Sequence, residues 1–260
     1  GEDLPAEAGL VELMHVVLTN VGVEPLTLTP TAAIPIFGRS ADRVRDHRHV
    51  TSLLHRIYTH PTGVLVRPTL AFDERGHRLN TVTYAVLGAE GNGTAPVAFF
   101  PTLETFVGPG GSLDWPQAVV EPGMAGLAAG QRLAGYEAMG GLRFRRITLD
   151  PGQRWAYVLV LGILDEGTDP DALMAHYGDQ TRFDAWLIRT KNHWEQKLAS
   201  VQMDLGEARL NGWLKWVTLQ PILRRICGNS FLPYHDYGRG GRGWRDLWQD
   251  QLALLIMEPS

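Results

Sequence analysis

Along the first 164 residues, apolar positions gather in short runs separated by turn-forming stretches. The runs are VELMHVVLTNVG (11–22), TGVLVRPTLAF (62–72), LNTVTYAVLG (79–88), APVAFF (95–100), LRFRRITL (142–149) and WAYVLVLGIL (155–164). Each is rich in β-branched and aromatic residues, and FDERGH, AEGNG and LDPGQ punctuate them with Gly, Pro, Asn and Asp. That pattern predicts strands joined by tight turns, hence antiparallel sheets packed face to face rather than βαβ units. Helical insertions are expected near Ser40–His47 and over Gln117–Arg132.

After Asp165 the period changes. DPDALMAHYGD predicts a short helix whose start is marked by Asp169 and Pro170. In FDAWLIRTKNHWEQKLASV, the residues Phe183, Trp186, Leu187, Trp194 and Leu198 fall near helical spacing. LNGWLKWVTLQPILRRI repeats the pattern through Leu210, Leu214, Val217 and Leu223. A last helix, from about Trp244 to Met257, ends in LALLIM and is apolar nearly all round, as a helix buried on every side would be. The fold class predicted is α+β, with a sandwich over 1–164, helices over 165–206 and a further helical region over 207–260. The first residues lead straight into a strand, and the last apolar helix needs partners, so the pattern predicts structure continuing past both ends.

Composition narrows the classes. A net charge of −4 argues against a nucleic-acid surface. The single Cys227 allows no internal disulfide and no cysteine-based zinc site, and suits a reducing, cytoplasmic setting. No stretch of 18 apolar residues is present to span a bilayer, and the first twenty residues lack the basic segment of a secretory leader. Asp46-His47-Arg48-His49 has metal-ligating side chains without a second cluster to complete a site, and reads as a solvated loop. No metal or organic cofactor is expected.

The densest chemistry lies in YHDYGRGGRGWRDLWQD (234–250). Its glycines free the backbone to turn sharply and approach a ligand. On the helix that follows, Asp246 and Asp250 share one face and Trp244 and Trp248 another. Two readings fit. In one, Asp246 caps the helix, an arginine pairs with it and the tryptophans fill core. In the other, Arg239, Arg242 and Asp246 hold sugar hydroxyls through charge-assisted bonds while Trp244 lies against the pyranose ring. GRGGRG lacks the Lys-Ser/Thr ending of a P-loop and has no βαβ unit around it. Ser112 and Ser230 have no nucleophile-elbow context, and the lone His235 reads as a structural histidine.

The block NGWLKWVTLQPILRRICGNSFLPYHDYGRGGRGWRDLWQDQLALL, with FFPTLETFVGPGGSLDWPQAVV upstream, resembles the cellobiose-phosphorylase family of inverting glycoside phosphorylases. The resemblance implies an N-terminal β-supersandwich, here truncated at its start, a helical linker and the first helices of an (α/α)6 barrel. It implies that Asp246 and either Arg239 or Arg242 bind the hydroxyls of the non-reducing glucose, and that Arg225 helps hold phosphate. The implied reaction is phosphorolysis of β-glucosides or β-glucans to glucose 1-phosphate, with inorganic phosphate as co-substrate and a homodimer as the common assembly. The general acid is expected beyond Ser260, so this chain alone is expected to be inactive. A carbohydrate-binding module without catalysis, and a hydrolase or cyclic-glucan-forming relative with the same barrel, are the alternatives.

Overall fold

A computed structural model of the chain describes residues 10–38, 48–73, 76–121, 123–227, 252, 254 and 255. The described residues fall into two compact units, one reaching Ala185 and the other starting at Trp186.

The first unit is built on a six-stranded antiparallel sheet. Its strands, in spatial order, are β1 (Leu10–Thr19), β13 (Arg154–Leu164), β8 (Thr83–Glu90), β5 (Gly63–Pro68), β4 (His55–His60) and β10 (Arg132–Ala134). A second sheet places β11 (Ala138–Arg143) between β3 (Thr31–Ile36) and β9 (Ala98–Thr102). Two ribbons complete the strands: β2 (Leu26–Leu28) with β12 (Ile147–Leu149), and β6 (Leu70–Asp73) with β7 (Gly76–Leu79). Every pairing among the described residues is antiparallel, as the turn-punctuated pattern predicts.

Register decides which side chains meet. Directly paired residues share a face, so Ile57, Val66, Val86, Tyr157 and Leu159 point together toward the small sheet. There they form the main core with Ile36, Phe99, Leu142 and Phe144. The opposite face carries Leu87, Val158 and Val160, all buried. It is covered by helix α4 (Pro170–Tyr177), which packs on β8 and β13 with Leu173 and Tyr177 buried. The centre of the sheet, along β8 and the middle of β13, is thus buried on both faces, which is why these strands read as continuous apolar runs rather than alternating ones. The predicted start of α4 is present: Asp169 is its N-cap, accepting from the Asp171 amide, with Pro170 in the first turn.

The small sheet is covered in turn by an excursion holding α2 (Leu103–Val107) and α3 (Gln117–Val120), through Phe100, Phe106, Ala118 and Met139. A reciprocal capping box between Thr102 and Thr105 starts α2. Arg143 staples the excursion down. Its guanidinium donates to the Met124 carbonyl at 2.6 Å and to the Ala118 carbonyl, and lies 4.6 Å over the Phe100 ring. Desolvation lowers the Arg143 pKa from its ordinary value.

One expectation is corrected here. The helix expected over Gln117–Arg132 is only four residues long, Gln117–Val120. Glu121 precedes a proline and is extended, at φ −99 and ψ 111, as that neighbour demands. The remainder is a loop with one bridge, Leu127 to Phe99. The insertion expected at Ser40–His47 lies outside the described residues, and a short helix α1 (Arg48–Leu53) follows it.

One end of the sandwich is tied by a single amide. Asn20 donates to the carbonyls of Glu24 and Leu149, both at 2.8 Å, and accepts from Gly22 N at 2.9 Å.

The second compact unit takes up the long helix α5 (Gln180–Ala199) from Trp186 and contains α6 (Ala208–Cys227). Both are present where the apolar spacing predicts them. Ile222 and Leu254 form a small core with Trp194, Val201 and Leu219 against it. The last apolar helix departs from expectation at its described positions. Leu254 is buried, but Leu252 and Leu255 are 63% and 68% exposed, because only one face meets Ile222 and its neighbours.

Candidate functional site

The sugar-binding residues predicted from the sequence, Arg239, Arg242, Trp244 and Asp246, lie outside the described residues, as do His235 and Asp250. Arg225 is on α6, and its side chain is likewise outside what is described. The described residues therefore neither bring these side chains together nor separate them. Among the described residues no group of three His, Cys, Asp or Glu side chains is placed to hold a metal ion.

The described polar chemistry is concentrated around Glu90, at the end of β8. This carboxylate is wholly buried. Arg145 Nε lies 2.9 and 2.8 Å from its two oxygens, and Trp155 Nε1 donates to one of them at 3.0 Å. The guanidinium also lies 5.1 Å over the Trp155 ring. Strand register creates the cluster, since Glu90 pairs with Tyr157 on β13 and Trp155 lies two residues along on the same face. Sequence reasoning missed this cluster. Its members stand 55 and 65 residues apart along the chain, and Glu90 falls in AEGNG, which reads only as a turn. With donors on both oxygens and no exposure, Glu90 is a structural anchor and not a proton donor to substrate.

Tyr157 adjoins this pair. Its hydroxyl is buried without a hydrogen-bond partner, and its pKa is raised to about 12, chiefly by burial, then by the Glu90 charge, with Arg145 opposing. A tyrosine held above the ordinary value of 10 contributes stability below pH 10 that is lost as pH rises through about 12. Ultraviolet titration of phenolate is therefore expected to show one tyrosine ionising near pH 12, with Tyr157→Phe removing that step and costing little stability, because no hydrogen bond is lost.

A second polar locus surrounds His55 on β4, in a cavity of about 160 Å3 that Thr51, Ser52 and Glu137 also line. His55 Nδ1 is 3.2 Å from the Tyr136 carbonyl. A carbonyl can only accept, so Nδ1 carries the proton. Burial lowers the His55 pKa, opposed by the Tyr136 and Gly38 backbone and the Glu137 charge. The imidazole is accordingly neutral near pH 7.

An antiparallel two-sheet sandwich with helices on its outer faces is the class defined by this fold. Residues 6–180 match the supersandwich domain of glycosyl hydrolase 94, and the chain belongs to that family. Over 128 residues it is 30% identical to N,N'-diacetylchitobiose phosphorylase of Vibrio proteolyticus, covering 48% of this chain and 15% of that enzyme. Over 126 residues it is 26% identical to the Vibrio furnissii enzyme of the same name, again 48% of this chain and 15% of the relative. The chain thus spans only a small part of the length of these curated relatives. The family resemblance read from the motif block is borne out.

Proposed function

We propose that the protein works in the phosphorolysis of a β-linked, gluco-configured disaccharide or oligosaccharide. The observation that carries this reading is the family match over residues 6–180. In it, the chain supplies a supersandwich (1–164), a helical linker (165–206) and the first helices of an (α/α)6 barrel (207–260), and the assembled enzyme is a homodimer. Phosphate oxygen attacks the anomeric carbon on one face as the glycosidic C–O bond breaks on the other. A carboxylic acid protonates the leaving oxygen, and configuration inverts. Asp246 and Arg239 or Arg242 fix the ring by its hydroxyls, Trp244 packs against it, and Arg225 helps hold phosphate. The relatives act by name on N,N'-diacetylchitobiose. A 2-acetamido sugar therefore stands beside the β-glucoside as candidate substrate.

The test is carried out on the intact parent enzyme. Sugar 1-phosphate should be released from cellobiose or from N,N'-diacetylchitobiose only when phosphate is present. Release of free sugar alone without phosphate would turn the reading toward a hydrolase, and saccharide binding with no turnover would leave a binding module. Asp246→Asn in that enzyme should lower kcat/KM by roughly 2–4 kcal/mol of transition-state binding with its melting temperature unchanged. Lost stability with normal activity per folded molecule would instead make Asp246 a helix-capping residue.

A further inference from the structure

We propose that the supersandwich carries a binding site for a neutral sugar, in a groove between the end of the six-stranded sheet and the first turn of α5. The assignment rests on the groove alone and not on the catalytic reading above. The groove encloses about 470 Å3, within the range of about 300–1,000 Å3 typical of small-molecule sites. Its floor is kept low by small residues. Gly91 lies against Ala156, where an added Cβ would come within 3.1 Å of the alanine Cβ. Backbone bonds fix that floor to the helix: Gly91 N donates to Ala156 O at 2.7 Å, and Gln180 N donates to Gly91 O at 2.9 Å. Val17 supplies an apolar wall, beside the His15 ring that lies tilted 4.7 Å from Phe183.

The polar rim offers both kinds of hydrogen-bonding group. Arg154 is exposed, and its guanidinium has no partner among the described residues. Asn92 uses Oδ1 to accept from Thr94 N at 3.0 Å, which leaves its Nδ2 as a donor. Across the groove, Asp184 is held by Gln180 Nε2 at 3.0 Å from each oxygen and keeps its remaining lone pairs for a ligand. A sugar hydroxyl both donates and accepts, so it can bridge such a rim, while the C–H face of the ring covers the apolar wall. The single positive and single negative side chain cancel, which disfavours a phosphate or any other anion.

The test is amide chemical-shift mapping of the 260-residue chain titrated with cellobiose and with N,N'-diacetylchitobiose into the millimolar range. Saturable shifts are expected at Gly91, Asn92 and Ala156. Arg154→Ala and Asp184→Ala, both at exposed side chains, should each weaken that response at least about fivefold without moving the melting temperature. The proposal is overturned if neither sugar shifts these amides, if both variants respond like wild type, or if the zwitterion glycine shifts them and the sugars do not. Groove shifts together with an intact parent enzyme that fails to phosphorolyse would sink the catalytic reading and leave this site standing. Phosphorolysis without groove shifts would do the reverse.

Discussion

Arg145→Ala is expected to destabilise the supersandwich by about 3–5 kcal/mol at neutral pH, the usual cost of stripping the partner from a buried charge. The argument depends on asymmetric exposure. Arg145 is 48% exposed and could be solvated by itself, whereas Glu90 is 0% exposed and could not. Removing the arginine leaves a carboxylate with only Trp155 Nε1 to answer it. Chemical denaturation of the variant beside the wild type measures this loss directly. Replacing both residues, as in Arg145→Met with Glu90→Leu, should cost less than Arg145→Ala alone, since no orphan charge remains. A double variant no more stable than Arg145→Ala would show that packing against Trp155, and not charge, is what Arg145 supplies.

Gly63→Ala is the second large effect expected, about 3 kcal/mol or more, above the common range for overpacking. A Cβ at Gly63 would collide with the Val86 carbonyl oxygen and come within 2.7 Å of Leu87 Cα. Both atoms are backbone of the adjacent strand β8, so relief requires parting β5 from β8 in the middle of the sheet. Gly140 is a useful contrast. Its added Cβ would meet the Val86 side chain, on the facing sheet, at 2.5 Å. Gly140→Ala should cost about 1–3 kcal/mol, and Val86→Ala in the same chain should recover part of it. The same Val86→Ala change should recover nothing of the Gly63→Ala loss. Urea unfolding of the two double variants distinguishes backbone collision from side-chain crowding.

The elements legible in the sequence are those whose signals are local. WAYVLVLGIL announces a strand buried on two faces, and Asp169-Pro170 announces the start of α4. β4 shows why others were not. HRIYTH alternates correctly, but its inward positions include His55 and Thr59. Thr59 is tolerated inside because its hydroxyl donates to Ala128 O and accepts from Gln131 N, both at 2.8 Å. Those partners lie 69 and 72 residues away, so no rule based on hydropathy can see them. The helix over-read at Gln117–Arg132 failed for a local reason, the proline after Glu121. The candidate site shows the same division. The arginines and aspartates of GRGGRGWRD stand out because they are contiguous, while Glu90, Arg145 and Trp155 meet only once the sheet has set their register.

A sheet whose centre is enclosed on both sides distributes the chain's room for change unevenly. Along an ordinary half-exposed strand, every second position can drift among polar residues as a lineage diverges. On β8 and β13 both sets of positions meet packed neighbours: Val86, Tyr157 and Leu159 toward the small sheet, Leu87, Val158 and Val160 toward the helical side. A substitution accepted there has to match volume as well as hydropathy. Drift is pushed outward, to exposed places such as Val21 and Val23 beyond β1. Val21 and Val23 should therefore accept polar side chains with little loss of stability, while Leu87 and Val158 should accept only apolar side chains of similar volume.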